Sequence, residues 1–376
     1  METVYRYNAI FCCRRFVMMH YFRTEQQARE AVSRQTGMQV MIWQQRGQVK
    51  GWLGLDSSDC REEDVSSIQD RWNASRPIYL SGWGREGLPG LCEALVRSAD
   101  LVTALCQGEE ADVCLDRPCH QAALQAGGFE RLACSEDMDD PQEICKIDFD
   151  RYDGDQLVAG DLWLKIAWLS LQEGDPSLRF RFSHGLEGDE TITTDRVQQI
   201  HAAELCETLF QESSLISRHG RLRALLEELG VRDPCYVERI VYFNAPDGGA
   251  LFHQDVERGH CGVVYAQMTG ETFWLALSRE QLLNEVTEFL QQDDDGVWQD
   301  LSRLDPDERV ARLEAREDRI EQLLNRTPEF SVQLLEHGHG YWLRPGDLLL
   351  LPQIDETRCA WHAVHTLGEV MGEGLS

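Results

Sequence analysis

The sequence predicts an α+β fold in which a β-rich C-terminal part follows a smaller mixed α/β part. Two observations predict this arrangement. Runs of β-branched and aromatic residues at 241–243 and 263–277 are typical of strands, and the apolar run at 348–351 indicates a buried strand. Residues 279–326, which separate the last two runs, carry apolar side chains at helical spacing and predict a helical insert.

Length and composition allow one large domain or two ordinary ones, because the chain has 376 residues in globular proportions. The polar, turn-rich segment 150–155 predicts the boundary between two units. Residues 1–150 would form a mixed α/β domain with a docking or substrate-binding role, and residues 151–376 would carry the β-rich part. Residues 1–22 lack the apolar segment of a signal peptide, and no apolar run is long enough to span a membrane. We therefore expect a cytoplasmic protein without a membrane partner.

Local patterns predict the remaining elements. Caps and helical spacing of apolar side chains predict helices, whereas alternation between turn residues predicts strands. In the first unit the predicted helices lie at 24–33, 90–106 and 120–126, the predicted strands lie within 38–55 and at 77–80 and 111–115, and 134–148 is a looser acidic segment. In the second unit the predicted helices lie at 157–171, 195–211, 219–229, 279–292 and 305–324, and a predicted strand lies at 178–182.

The charge of the chain limits its partners. Its formal net charge is −29, whereas nucleic-acid phosphates demand clustered Lys and Arg, so we expect no nucleic-acid partner. Such a charge would attract a basic partner such as an Arg/Lys-rich peptide, or serve solubility alone. The 13 cysteines include no C-x-x-C pair, which favours reduced thiols in the core over a zinc site.

The residues that point to chemistry begin with His253 and Asp255, which follow the strand-like run 241–243 and the glycine-rich turn 246–249. Side chains two residues apart on a strand point to the same side, so this imidazole and this carboxylate share a face. They form two thirds of a 2-His-1-carboxylate triad, whose open positions suit an Fe(II) centre that activates O₂.

A third ligand is expected from a distant strand near the C-terminus. An Arg-Pro-Gly-Asp turn at 344–347 precedes the apolar run 348–351 and a proline, and Trp361-His362 follows a short loop. This places a second imidazole directly after a turn and a buried strand.

Taken together, residues 236–376 resemble the JmjC/cupin-type Fe(II)- and 2-oxoglutarate-dependent oxygenases, which share this His-x-Asp, PGD, strand and His pattern. The resemblance implies a double-stranded β-helix (jelly-roll, cupin) domain in which His253, Asp255 and His362 bind Fe(II). It also implies a dioxygenase that uses O₂ and 2-oxoglutarate to hydroxylate a C–H bond. The carboxylate of Asp255 favours hydroxylation, because related halogenases lack it. The substrate would be a peptide, a protein or an amino-acid-derived small molecule.

The resemblance leaves the partner of the distal 2-oxoglutarate carboxylate open. Family members use Lys or Arg on the strand after His-x-Asp, but that position falls on Thr272, and no lysine follows Lys165. An arginine is one alternative, with Arg344 and Arg239 as candidates. Hydrogen bonds from Thr272 and Gln267 are the other.

Other histidines and one cysteine near these segments offer alternative ligands. His365 lies three residues after His362, so on a strand it should face the opposite side. His260 and Cys261 follow His-x-Asp in a loop, and we expect them to lie beside the metal ligands or at the surface, without binding the metal. The His-Gly-His-Gly segment 337–340 indicates either a glycine turn or a small metal patch.

Two other functions stay open: a metal-binding cupin enzyme that does not use 2-oxoglutarate, and a degenerate oxygenase fold with a binding or regulatory role. A homodimer could form through the helix predicted at 305–326, whose solvent face alternates Arg and Glu. Because the sequence stops at Ser376, where a last barrel strand should begin, we expect that strand to be shortened or supplied from elsewhere.

Overall fold

Buried apolar strands from both predicted units join one nine-stranded antiparallel sheet. The computed structural model describes residues 14–376 except 36, 64–66, 137–138, 172–173, 187–193, 257–258 and 293–295. Residues 1–13, the start of the first predicted unit, lie outside the described residues. The strands are β1 Arg14–Phe22, β2 Met38–Gln45, β3 Gln48–Glu63, β4 Ile78–Leu80, β5 Phe129–Ser135, β6 Glu143–Asp153, β7 Gln156–Trp168, β8 Leu178–His184, β9 Arg239–Asn244, β10 Gly262–Thr269, β11 Glu271–Ser278, β12 Gly340–Leu343, β13 Leu348–Pro352, β14 Ala360–Leu367 and β15 Gly372–Leu375.

The helices lie mainly in two groups, one before β9 and one between β11 and β12. They are α1 Glu25–Arg34, α2 Ser67–Asn73, α3 Cys92–Cys106, α4 Ala111–Leu115, α5 Pro118–Ala126, α6 Arg196–Leu209, α7 Ser214–Ser217, α8 Gly220–Glu228, α9 Arg279–Gln291, α10 Gln299–Ser302, α11 Pro306–Glu314, α12 Asp318–Arg326 and α13 Pro328–Glu336. In the part of the chain that the structure describes, no helix is both long and apolar enough to cross a bilayer.

The large sheet has the strand order β4-β13-β10-β15-β9-β8-β7-β6-β5, and a three-stranded sheet β12-β11-β14 packs against part of it. The chain passes between the two sheets at the Gly270 turn, which has a φ of +66°, and again between β12 and β13. Side chains from both sheets form one apolar cluster that includes Tyr265, Trp274, Leu343, Leu349, Leu351 and Val364. Two antiparallel sheets therefore face each other at this end of the molecule.

Helices cover the opposite face of the large sheet. Phe180 on β8 and Phe243 on β9 are buried there against Phe210, which follows α6, with ring centroids 4.9 Å and 6.3 Å from that of Phe210. Leu205 of α6 and Leu222 of α8 belong to the same apolar cluster. The large sheet is thus buried by helices on one side and by the small sheet on the other.

The strands β1 to β3 form a third sheet that packs on the far side of β11 and β14. Trp43 of β2 lies edge-on to Phe273 of β11, with ring centroids 5.2 Å apart. The helical insert α9–α13 adds Leu282, Ile320 and Leu323 to the same cluster. The N-terminal sheet and the insert together therefore support the small sheet from behind.

The domain boundary predicted at 150–155 does not separate two units. This segment is the hairpin between β6 and β7, with Gly154 at a φ of +60°. The division at residue 150 falls inside β6, which pairs with β5 on one side and β7 on the other. Residues 1–150 and 151–376 share one sheet, because β4 also pairs with β13.

Four predictions of local structure were wrong. Residues 157–171 are not helical but largely strand β7, whose apolar run is buried on both faces of the sheet at Trp163, Leu164 and Ile166. Residues 111–115 form the short helix α4 instead of a strand, and the segment 134–148, expected to be loose, enters β6. The predicted helix 305–324 is two helices, interrupted at Arg316, which has a φ of +52°.

Predictions that rested on caps were confirmed. Thr24 and Asp305 each form a capping box at the start of α1 and α11, as the sequence indicated. The last strand is supplied by this chain and not from elsewhere, because β15, four residues long, lies within the large sheet and pairs with both β10 and β9. Leu313, Ile320 and Leu323, the apolar stripe of the insert, pack inside this chain.

Candidate metal centre

The His-x-Asp segment lies in register with β14. His253 and His362 form an antiparallel bridge, in which each backbone N–H donates to the other residue's carbonyl at 3.0 Å and 2.9 Å. Ala250 and Val364 pair in the same way at 3.0 Å and 2.9 Å. Directly opposed residues of antiparallel strands point to the same face, so this register brings the two imidazoles together.

Gly249 permits this close approach. Its φ is +122°, a conformation that residues with a Cβ rarely adopt, and a Cβ at this position would overlap the carbonyl oxygen of Val364. The glycine-rich turn that precedes His253 therefore seats the segment against β14.

The three predicted ligands converge on one point. The Nε2 atom of His253 lies 3.3 Å from Oδ1 of Asp255, and the Nε2 atom of His362 lies 3.5 Å from Oδ2. One donor atom from each residue lies within 4.8 Å of the other two. Two imidazole nitrogens and a carboxylate on one face form the donor set that divalent iron accepts, so these residues fit a metal ion.

Hydrogen bonding and stacking hold both imidazoles in place. The Nδ1–H of His253 donates to the carbonyl oxygen of Leu251 at 2.7 Å, which leaves Nε2 free to face Asp255. The indole of Trp274 stacks on His362, with a centroid separation of 5.2 Å and an interplanar angle of 22°. Tyr265 in turn packs on Trp274 at 4.6 Å.

The protonation states also suit a metal. Burial raises the pKa of Asp255, but the neighbouring His362 and His253 outweigh burial and hold that pKa below its ordinary value. Burial, reinforced by His253, lowers the pKa of His362 to about 3, against the opposite pull of Asp255. At neutral pH the site therefore holds an ionised carboxylate beside the neutral imidazole of His362, as metal binding requires. Burial lowers the pKa of His253, but the hydrogen bond and charge of Asp255 outweigh burial and raise that pKa, so a metal ion would have to displace a proton from His253 at low pH.

Gln267 and Thr272 lie behind the cavity and not in its wall. The Thr272 hydroxyl donates to Oε1 of Gln267 at 2.6 Å and accepts from the Trp274 indole N–H at 2.9 Å. The Tyr265 hydroxyl donates to the same Gln267 oxygen at 3.0 Å. These two predicted cofactor residues thus fix the aromatic side chains that pack toward His362.

The structure does not bring Arg344 or Arg239 to the triad. Arg344 lies partly exposed in the turn between β12 and β13, where its guanidinium donates to Gln39 at 3.3 Å. Arg239 is buried on the helix-covered side of β9, where it donates to the Ser213 carbonyl at 3.4 Å; it lines the groove that borders Asp255 but not the cavity at the triad. Among the described residues, none that lines the cavity at the triad is Lys or Arg.

Two spaces meet at Asp255. The inner cavity has a volume of about 60 Å³, room for about two water molecules at roughly 30 Å³ each. Its wall includes Tyr242, Asn244, Tyr265 and Trp274, four polar or aromatic side chains that the sequence reasoning did not single out. An outer groove of about 330 Å³ shares Asp255 and Tyr242 with this cavity.

Three other candidate ligands, His365, His260 and Cys261, lie outside the inner cavity. His365 faces the opposite side of β14 from His362, as its spacing predicted, and packs against Trp43 at a centroid separation of 5.7 Å. His260 and Cys261 line the outer groove and are absent from the wall of the inner cavity.

No protein-family model and no curated protein matches this chain. What the triad can do is therefore judged from its geometry and from the donor chemistry of its side chains.

Proposed function

We propose that this protein is an Fe(II)-dependent oxygenase that hydroxylates a C–H bond at the triad of His253, Asp255 and His362. The observation that carries the proposal is the antiparallel bridge between the two histidines, which aims both imidazoles at one carboxylate. We also interpret the two facing sheets as a double-stranded β-helix of the JmjC/cupin type. The pairing of the His-x-Asp segment with β14 and the position of the site between the sheets support this interpretation.

Each residue has a distinct task at such a centre. A bound Fe(II) ion supplies the redox chemistry that activates O₂. Asp255 contributes the negative charge, and its half-buried position lets it border both the cavity and the groove. Leu251 and Trp274 fix the orientations of His253 and His362, because a ligand held in its binding rotamer loses less entropy when the ion arrives.

The residues fit an iron ion, but they do not fit 2-oxoglutarate equally well. The distal carboxylate of that cosubstrate needs a cation, and among the described residues no Lys or Arg lines the inner cavity, whereas Arg196, Arg232 and Arg239 line the outer groove that shares Asp255. The lack of a cation in the described wall of the inner cavity favours the second candidate function, a metal-dependent cupin enzyme that does not use 2-oxoglutarate. The use of 2-oxoglutarate stays a prediction from the resemblance.

The outer groove supports a substrate larger than water or O₂. Its volume of about 330 Å³ lies in the range of ligand pockets, and it opens onto Asp255. The Tyr236 hydroxyl and Nε2 of His260 are buried at this groove without a hydrogen-bond partner among the described residues. Polar groups left in this state favour a substrate with hydrogen-bonding atoms, such as a peptide, a protein side chain or an amino-acid derivative.

The deciding experiment is an anaerobic titration of the Fe(II)-loaded protein with 2-oxoglutarate, monitored by the weak visible metal-to-ligand charge-transfer band. Comparison variants are His253→Ala and the distant His201→Ala, which removes an imidazole from α6. We expect the wild type and His201→Ala to bind about one Fe(II) at the triad and His253→Ala to lose it, because one of three ligands is missing.

Each outcome selects one function. A band that disappears in His253→Ala, with succinate released under O₂, identifies a 2-oxoglutarate-dependent hydroxylase. Iron binding at the triad without a band supports the cupin enzyme that does not use this cosubstrate. If His253→Ala and the wild type bind the same amount of iron, the proposal is wrong and a binding or regulatory role takes its place.

A further inference from the structure

A second group of metal-binding side chains lies on the helical insert. Glu285 and Glu288 are three residues apart on α9, so they share one side of that helix. His337 follows the end of α13, in the His-Gly-His-Gly turn that leads into β12. One donor atom from each of these three residues lies within 4.8 Å of the other two.

Distances within the group place an imidazole directly on a carboxylate. The Nδ1 atom of His337 lies 2.8 Å and 3.0 Å from the two oxygens of Glu285. Glu285 is 8% exposed, whereas Glu288 and His337 lie at the surface, so an ion could enter from solvent and reach a buried carboxylate.

Buried side chains orient Glu285 toward the other two residues. The amide of Gln333 donates to Oε2 of Glu285 at 2.7 Å and to its backbone carbonyl at 3.0 Å. The Nε2 atom of His339 lies 3.0 Å from the Oε1 atom of Glu285, and both supporting side chains are at most 9% exposed. Metal-binding carboxylates are commonly held by hydrogen bonds of this kind, which surface ion pairs lack.

We propose that Glu285, Glu288 and His337 form a second metal site, separate from the triad, that takes Zn²⁺ or a similar divalent transition-metal ion. One imidazole and two carboxylates are ligands that Zn²⁺ accepts, with water completing a tetrahedral shell. The turn at Gly338, which has a φ of +81°, brings His337 and His339, the residues on either side of it, to the same carboxylate.

The ion would fasten the insert to the small sheet. It would join α9 to the turn before β12, where the carbonyl of His339 accepts a hydrogen bond of 2.9 Å from the N–H of Ala276. Ala276 lies on β11 directly opposite His362 of β14. The second site therefore contacts β11, the strand next to the triad, through one backbone hydrogen bond. Its role is to hold the helical insert against β11.

The test counts Zn²⁺ bound per chain by equilibrium dialysis and metal analysis of the full-length protein. The triad is removed with His253→Ala/His362→Ala, and the second site with His337→Ala. Glu288→Gln also removes a ligand of the second site, and because this side chain is exposed, the substitution should leave the fold intact. Glu280→Gln is the matched control, because it makes the same change at another exposed position of α9.

We expect the triad double variant to bind one Zn²⁺, and to lose it when His337→Ala is added. Glu288→Gln should weaken this affinity at least tenfold, whereas Glu280→Gln should leave it unchanged. Zn²⁺ should also raise the melting temperature of the triad double variant but not that of the triple variant. The proposal is overturned if the triad double variant binds no Zn²⁺ or if His337→Ala and Glu288→Gln leave its binding unchanged. A triad that binds no iron would sink the oxygenase proposal without affecting these counts.

Discussion

His362 and His365 lie on the same strand three residues apart, and the parity of that spacing decides their roles. His362 faces Asp255 and His253, whereas His365 is buried between Trp43 and Phe273 on the other side of the small sheet. Residues an odd number apart on a strand face opposite sides, so only one of the two can reach the triad.

This contrast gives a prediction for two alanine variants. His362→Ala should lose Fe(II) binding at the triad, while His365→Ala should keep it and lower the free energy of unfolding by about 2 kcal/mol, because it leaves a cavity beside Trp43. Metal analysis and urea unfolding of both variants check this. If His365→Ala loses the iron while its fold is intact, the assignment of His362 is wrong.

The sequence was sufficient to predict that the three triad residues come together, but not to predict the rest of the pocket. The shared face of His253 and Asp255 was predictable from period-two spacing, and His362 from the resemblance of its PGD-strand-His order to the JmjC/cupin pattern. Tyr242 and Trp274 carry no such signal, since their place beside the triad depends on which strands pair. Arg344 illustrates the same limit. It belongs to the Arg-Pro-Gly-Asp turn that pointed to His362, but its side chain extends toward Gln39 and not toward the triad.

At the scale of elements, the segment before His253 has to run close enough to β14 to share its hydrogen bonds. Gly249 makes this approach, with its positive φ and without a Cβ facing the Val364 carbonyl. Gly154 also has a positive φ, +60°, but has open space around it. Substituting each of these two glycines therefore distinguishes the energy lost through an unfavourable backbone conformation from the energy lost through a clash with β14.

Gly249→Ala should therefore disrupt the bridge between His253 and His362, and with it metal binding. Gly154→Ala should cost only about 1–2 kcal/mol of stability, the usual cost of a left-handed conformation with a Cβ, and keep the metal. Iron affinity measured alongside thermal unfolding distinguishes the two. Equal iron affinity in both variants would contradict a role for Gly249 in seating the segment.

Local patterns failed where tertiary pairing outweighs them. The apolar run of β7 fits either a buried helix or a strand covered on both faces, and only its neighbours β6 and β8 decide. The turn signal at 150–155 was real, but a hairpin and a domain boundary use the same residues. In both cases the correct assignment depends on which strands pair, and local sequence patterns do not show this.

At the scale of the whole molecule, two buried acids link β15 of the large sheet to the helices that cover this sheet. The carboxyl of Glu373 on β15 lies against that of Glu212, which also accepts a hydrogen bond from Ser98 and faces Arg97. Burial, followed by the charge of Glu212, raises the pKa of Glu373 to about 10 from an ordinary 4.5. Burial also raises the pKa of Glu212, so the folded protein keeps a proton on this pair at neutral pH.

This raised pKa fixes the sign of a pH effect on global stability. The stabilisation of the folded state by protonated Glu373 is fully present below pH 4.5 and declines as pH rises toward 10. The reason is that the Glu373 carboxyl loses its proton at a lower pH in the unfolded chain than in the folded protein. Glu373→Gln keeps the shape and removes the titration, so it should unfold at higher urea concentration than the wild type at pH 8. The advantage should grow with pH by at most about 1.4 kcal/mol per unit. Urea titrations from pH 6 to pH 9 measure it, with the exposed Glu356→Gln as a control expected to follow the wild type. Parallel pH profiles for Glu373→Gln and the wild type would show that the pair shares no proton.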